Sequence, residues 1–334
     1  MIEILQKILA PHGPSGREEP VAKVIQELIK KDVDELSTDV MGNIIAIKKG
    51  EQEGKRIMFS AHMDQIGFVV TSIEEEGFLR VMNVGGIDIG VSLGNHVVFD
   101  SGVSGVLFSQ PVKSAESQRM KHLFIDIGAK DKQEALTMVQ VGDMAVYRPD
   151  FFRLGEHRVG SPAMDDRCAC ALLVSFLKNV EKPKHTIIAV FSTQEEVGLR
   201  GATTAAYTIQ PDIGIALDVT AWGDTPEVKD PAIFLGKGPA VKIMDRSSIT
   251  HPKVKEALLL AGEKAGVHTQ REVLAFGGTD AGAIQASRGA VAVGTVSIPC
   301  RYVHSATEVI DMRDMAGAEK LLHAFVQLEE LKAL

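Results

Sequence analysis

Two adjacent carboxylates, Glu195 and Glu196, close an apolar, β-branched run from Thr186 to Phe191. A run of this length bounded by polar residues reads as a strand buried on both faces of a parallel sheet. Ligands of such sheets gather beyond the carboxyl ends of the strands. Like charges side by side near a core are costly unless a cation neutralises them. Residues of matching type stand at other strand ends. His62 and Asp64 follow the run Arg56 to Ser60, and Asp165-Asp166-Arg167 precedes the apolar run Cys168 to Leu177. Asp218 follows Ile215-Ala216-Leu217, and His304 follows a stretch ending at Ile298. Taken singly, each has a plainer role: a hydrogen-bonded core histidine, an Asp helix cap, an Asx turn. Those roles do not explain why ligand-type residues recur at successive strand ends of one sheet, where they converge.

Two histidines and several carboxylates without a thiolate pattern suit zinc, cobalt or manganese. A carboxylate can bridge two cations roughly 3.5–4 Å apart. With His62, Asp165, Glu196, Asp218 and His304 as ligands, three negative charges face four positive ones, and a hydroxide drawn from water closes the balance. Successive side chains of an extended backbone point to opposite sides. Glu196 can therefore bind metal while Glu195 reaches the water as general base and then acid. Asp64, two residues past His62, can accept the remaining ring N–H and fix the tautomer. The chemistry is that of a hydrolytic two-metal centre.

The elements that must position these residues fall into two textures. Ile2 to Leu9 reads as a helix, Ser15 and Glu18 have capping-box spacing, and Val21, Val24, Ile25, Leu28 and Ile29 share one helical face. Strands are predicted at 43–47, 56–60, 186–191, 213–217 and 291–296, with helices at 252–265 and 315–331. Between 68 and 160, short apolar runs alternate with Gly, Ser and Asp, interrupted by one helix-like piece at 131–138. These runs predict a small all-β unit with no cluster of metal ligands. The fold class is therefore α/β: a mixed-sheet domain with helices on both faces (1–67 and 160–334), interrupted by a β-rich domain (68–159).

Composition narrows the partners. A net charge of −8 and a pI near 5.7 argue against nucleic acid or an anionic membrane surface. No apolar run approaches the length of a membrane span, and the N-terminus lacks the pattern of a secretory leader. Three cysteines make no disulfide framework, and Cys168-Ala169-Cys170 has one intervening residue where redox and zinc motifs have two. Core thiols in a reducing cytoplasm are the expectation.

The whole pattern resembles the tetrahedral aminopeptidases of metallopeptidase family forty-two, which include glutamyl aminopeptidases. The matching segments run in order along nearly the whole chain: Gly13-Pro14-Ser15-Gly16, Ala61-His62-Met63-Asp64-Gln65-Ile66-Gly67, Ala163-Met164-Asp165-Asp166-Arg167, Gln194-Glu195-Glu196-Val197-Gly198, Asp218-Val219-Thr220, Phe276-Gly277-Gly278-Thr279-Asp280-Ala281 and Arg301-Tyr302-Val303-His304-Ser305. The resemblance implies His62, Asp165, Glu196, Asp218 and His304 as ligands of two divalent ions, zinc or cobalt, with Asp165 bridging. It implies Glu195 as general base, Asp64 as its acidic support and a cis peptide between Asp165 and Asp166. It further implies that the inserted domain dimerises and that dimers build a dodecameric tetrahedron admitting short peptides. One departure is Ala221-Trp222, where many members carry a more polar pair. Trp222 either narrows a substrate pocket or packs an ordinary loop, and the Gly277–Asp280 loop is a further candidate for the pocket wall.

Two other functions compete. Paired carboxylates also cleave glycosides, and some members of the family carry a cellulase label. Glycosidases need no metal pair, however, and 5% aromatic residues offer little surface for stacking sugars. A noncatalytic assembly protein that kept the fold would show a missing ligand or a missing Glu195, and none is missing. The ligand set accepts zinc and cobalt alike, and no basic residue marks the preferred N-terminal side chain.

Overall fold

Alternation along the Arg56–His62 strand shows how the main domain is layered. Ile57, Phe59 and Ala61 enter one apolar cluster and Met58 enters another on the opposite face. The Thr186–Ser192 strand divides the same way, with Ile187, Ala189 and Phe191 on one side and Ile188 and Val190 on the other. A strand buried on both faces needs cover on both. Helices Ile2–Leu9, Glu19–Ile29, Met164–Asn179, Pro252–Lys264 and Met312–Phe325 supply one layer, and Arg200–Ile209 and Asp280–Gln285 the other. Phe59 anchors the first layer, its ring edge-on to Phe176 at 5.5 Å and to Phe325 at 6.4 Å. The structure, a computed structural model, describes residues 1–334 apart from 52, 115–118, 222, 227, 229–232 and 334. Trp222 lies outside the described residues.

Four strands form the parallel centre of an eleven-stranded sheet: Thr186–Ser192, Arg56–His62, Ile213–Ala221 and Ala292–Arg301. Antiparallel strands flank them, Ile44–Lys48 on one side and Glu308–Asp311 on the other. The Thr186–Ser192 strand thus sits in a mixed sheet, with one parallel and one antiparallel neighbour. Phe152–Leu154 and Arg158–Ser161 extend this sheet beyond Glu308–Asp311.

The intervening strands close into a six-stranded barrel that runs from Gly67–Ile73 to Met144–Tyr147. Its interior is apolar, built from Phe68, Leu107, Leu123, Ile125 and Tyr147, and closure leaves no unpaired edge. Its helix is Lys132–Met138, with Asp131 as the cap.

Several local expectations change. Ser15 and Glu18 form no capping box: the serine hydroxyl donates to Asp64 and the Glu18 carboxylate accepts from the Gly16 amide. The C-terminal helix stops at Phe325, and a separate 3-10 turn covers Glu329–Ala333. Asp218 lies inside its strand, which continues to Ala221. Neither Asp165 nor Asp166 caps the Met164–Asn179 helix; both interrupt its first turn with non-helical backbone.

Candidate metal centre

His62 is the last residue of its strand and stands in register with Ser192 of the parallel neighbour. Beyond Ser192 the chain turns at once, with Gln194 in the left-handed region at φ 55° and the Gly198 amide donating to the Glu195 carbonyl at 2.9 Å. A turn, rather than the alternation of an extended strand, therefore separates the two glutamates. Glu195 Oε2 lies 4.0 Å from His62 Nε2, whereas Glu196 Oε1 lies 3.2 Å from His304 Nε2. Between the imidazoles sits Asp165, one oxygen 3.1 Å from His62 Nε2 and the other 3.2 Å from His304 Nε2. The peptide joining it to Asp166 is cis.

Asp218 joins from the Ile213–Ala221 strand. Ligand atoms of His62, Asp166 and Asp218 lie within 4.8 Å of one another, as do those of His62, Asp165 and Glu196. The structure thus gathers all five expected ligands and adds Asp166, whose Oδ2 accepts the His62 amide at 3.1 Å. The Asp166 Oδ1 is buried without a partner among the described residues. Asp64 offers the remaining ring nitrogen of His62 two acceptors. The His62 Nδ1 lies closer to its backbone carbonyl, at 3.1 Å, than to its carboxylate, at 3.4 Å. The Asp64 carboxylate also accepts the amides of Glu195 and Glu196, at 3.0 and 3.2 Å, and the Ser15 hydroxyl, at 2.6 Å.

Glu308, Gly85 and Gly86 escape a reading of the sequence, and Asp280, read there only as part of a pocket-wall loop, takes a different part. Glu308 accepts the amides of Asp165 and His304 at 2.9 and 2.7 Å, tying two candidate ligands together from behind. A lone Glu in a polar stretch gives no signal of this. Asp280 accepts hydroxyl bonds from Ser60 and Ser192, both at 2.6 Å, beneath the ends of the two central strands. Gly85 and Gly86 arrive from the barrel. A Cβ at Gly86 would stand 2.8 Å from His304 Nδ1, and one at Gly85, whose φ is +76°, would stand 3.0 Å from Glu196 Oε2. The inserted domain therefore supplies a wall of the site.

Burial of this many acids sets the electrostatics. Burial alone would lower the His62 and His304 pKa values, but Asp165, Asp64 and Glu196 more than reverse it, and His304 rises to about 12. Burial raises Asp218 to about 8, with the charge of Asp165 adding to it. Burial also pushes Glu195 well up, and the charges of Asp218 and Glu196 push it further. Asp165 goes the other way, because the two imidazoles outweigh its burial. The surrounding acids thus favour protons on the imidazoles, a pull that bound cations would answer instead. Two imidazole nitrogens and a shell of sealed carboxylates fit hard or borderline divalent ions, which neutralise the excess of acid and displace those protons.

The centre opens into a cavity of about 890 Å³. Leu199, Val219, Leu274, Phe276 and Val303 make its apolar wall, with Gly277 and Gly278 from the expected loop. Lys242, buried at its side, lies 3.3 Å from Glu272 and 3.8 Å from Asp245.

Against known proteins, the profile of the M42 glutamyl aminopeptidase family matches residues 42–321. The chain belongs to that family. The lysyl aminopeptidase of Pyrococcus furiosus is 35% identical, the match covering 99% of this chain and 98% of that protein. The solved aminopeptidase APDkam598 of Desulfurococcus kamchatkensis superposes with a TM-score of 0.94 at 41% identity, over 98% of this chain and 94% of that one. The TET1 peptidase of Pyrococcus horikoshii, which assembles into a tetrahedron or a large octahedral shell, superposes with a TM-score of 0.86 at 35% identity, over 98% and 99%. The chain is accordingly an aminopeptidase, a hydrolase of a metallopeptidase family with a cluster able to hold metal, and glycoside hydrolysis is not favoured. No helix among the described residues is long and apolar enough to cross a membrane.

Proposed function

We propose that this aminopeptidase removes N-terminal residues from short peptides at a centre holding two divalent ions, zinc or cobalt. His62, Asp165, Glu196, Asp218 and His304 are the ligands and Asp165 is the bridge. The observation that carries this reading is the division of Asp165, one oxygen toward each imidazole, with Glu196 3.2 Å from His304. When bound, such ions polarise the scissile carbonyl and lower the pKa of water.

The chain's own groups do the rest. Glu195 stands beside His62 and outside the His304 pair, free to take a proton from the attacking water and deliver it to the leaving amine. Its burial among acids favours holding that proton between the two steps. Acidic groups at the centre, together with bound metal, hold the free α-amine of a peptide, which restricts cleavage to the first residue. The apolar wall receives that residue's side chain and excludes water.

The barrel is the element we assign to dimerisation, and dimers to a dodecameric shell. Support comes from the assembled TET1 relative and from exposed Met82, Val106 and Phe108 on the barrel's outer surface. The three unpaired buried cysteines suit a cytoplasmic protein. Glu195→Gln tests the assignment: bound metal per chain should stay at the wild-type level while kcat on aminoacyl anilides falls by about 10²–10⁴-fold. Full turnover in that variant removes Glu195 as the base.

A further inference from the structure

The Glu195–Glu196 turn makes few backbone bonds of its own at its leading edge, yet three successive amides there are all held. The Gln194 amide donates to Glu18 Oε1 at 3.0 Å, the Glu195 amide to Asp64 Oδ1 at 3.0 Å and the Glu196 amide to Asp64 Oδ2 at 3.2 Å. Both acceptors are themselves fixed by the segment before the second helix. Glu18 Oε1 also accepts the Gly16 amide at 2.7 Å, and the Ser15 hydroxyl donates to Asp64 Oδ2 at 2.6 Å. That segment is anchored in turn. Gly13 O accepts the Gln65 amide at 3.2 Å, and the buried Arg167 guanidinium reaches Pro11 O at 2.7 Å and Gly13 O at 3.1 Å.

Glu18 has no place in the reaction derived above, and the residue is nonetheless only 6% exposed, 176 residues away in sequence from the turn it holds. A buried carboxylate is retained at a cost unless its bonds do something an apolar side chain would not. A merely structural link would serve anywhere along the turn. This one falls on Gln194, the residue whose left-handed backbone redirects the chain so that Glu195 faces His62 and Glu196 faces His304.

We propose that Glu18 is a positioning residue: its carboxylate sets the direction in which the turn presents Glu195. Ser15 does the same through Asp64. The inference rests on Glu195 being the base, and its test separates the two. Glu18→Gln keeps an oxygen able to accept both amides; Glu18→Asp keeps the charge but shortens the reach; Glu18→Ala removes the acceptor. The expected result is a loss in kcat of about 10–100-fold for the Asp and Ala variants, with KM and bound metal within a few-fold of wild type, and recovery to within a few-fold in the Gln variant. Amide hydrogen exchange across 193–197 should accelerate in the Asp and Ala variants and not in the Gln variant, whether or not substrate is turned over.

Wild-type kcat and exchange in Glu18→Asp would overturn the proposal, and so would a Gln variant as impaired as Asp, since an acceptor oxygen at the right reach would then not be what positions the turn. If Glu18→Ala does not fold, the Asp and Gln pair decides alone. An active Glu195→Gln enzyme would remove the base while leaving the exchange result intact, so failure of one reading is not mistaken for failure of the other.

Discussion

Inside the barrel, Phe68 meets Tyr147 edge-on at 5.7 Å, and Leu107, Leu123 and Ile125 fill the remaining space, none of them exposed. At the head of the large sheet, His62, Asp64, Asp166 and Glu308 are sealed as completely, at 2% exposure or less. Equal burial has opposite consequences. Each apolar side chain of the barrel gains roughly 1.5–3 kcal/mol on leaving water. Each ionised group at the centre loses solvation and must recover it from a partner of opposite charge. The barrel interior is stabilised by apolar burial, whereas the crowded acids of the centre call for cations. The two kinds of burial meet at Gly85 and Gly86.

The largest expected effect falls on the centre. Asp165→Ala removes the acid between the two imidazoles and should abolish retention of one or both metals. Turnover should drop by at least about a thousandfold, ~4 kcal/mol of transition-state stabilisation. Metal analysis and kinetics give the first two readouts, and amide exchange in the barrel gives the third. Barrel protection should stay at the wild-type level; if it falls with the metal, the two regions are one cooperative unit and the contrast drawn above is wrong.

The converse substitution belongs to the barrel. Phe68→Ala should cost about 3–5 kcal/mol in denaturant unfolding, because a large ring leaves a cavity in a closed interior. The folded fraction, corrected for metal content, should keep kcat within about a factor of two or three. A large loss of kcat would mean that barrel packing sets the position of Gly85 and Gly86 against His304 and Glu196.

How much of this was legible beforehand follows the same division. The apolar runs gave the starts of the central strands within a residue and the β texture of the barrel, since periodicity and burial are local signals, but Ile213–Ala221 and Ala292–Arg301 run on well past their expected ends into the site. The ligand types at the strand ends foretold the convergence of His62, Asp165, Glu196, Asp218 and His304. What stayed hidden depends on chain geometry. Ser15 and Glu18 match a capping box in spacing, yet their partners, Asp64 and Gln194, lie 49 and 176 residues away. The turn at Gln194 has no sequence signal either, because a left-handed glutamine is imposed by the contacts around it. The separation of the two glutamates was anticipated for the wrong reason, strand alternation. Barrel closure and the arrival of Gly85 and Gly86 at the centre depend on how two domains meet, which no local pattern encodes.

The smallest effect isolates the cost of burying a carboxylate whose hydrogen bonds come from backbone amides. Asp314, fully buried in the first turn of the Met312–Phe325 helix, accepts the amides of Gly236 and Gly238, both at 2.7 Å. Burial nevertheless raises its pKa from 3.8 to about 6, the amide bonds recovering only part of the lost solvation. Between about pH 4 and 6 the folded chain holds this proton more tightly than the unfolded one. Folding is therefore favoured on the acid side, and the stability contributed by the neutral form is lost as pH rises through that window. From pH 5 to pH 7.5 the loss attributable to Asp314 is about 1–1.5 kcal/mol. Asp314→Asn cannot ionise. Its overall stability should fall, because one oxygen must serve two amides, but its stability difference between the two pH values should shift by that same amount relative to wild type. Urea unfolding of both proteins at both pH values measures it, with the other titrating groups common to the two. An unchanged difference would mean that two backbone amides suffice for a buried acid, and the need for cations at the centre would then have to be argued from the crowding of its acids alone.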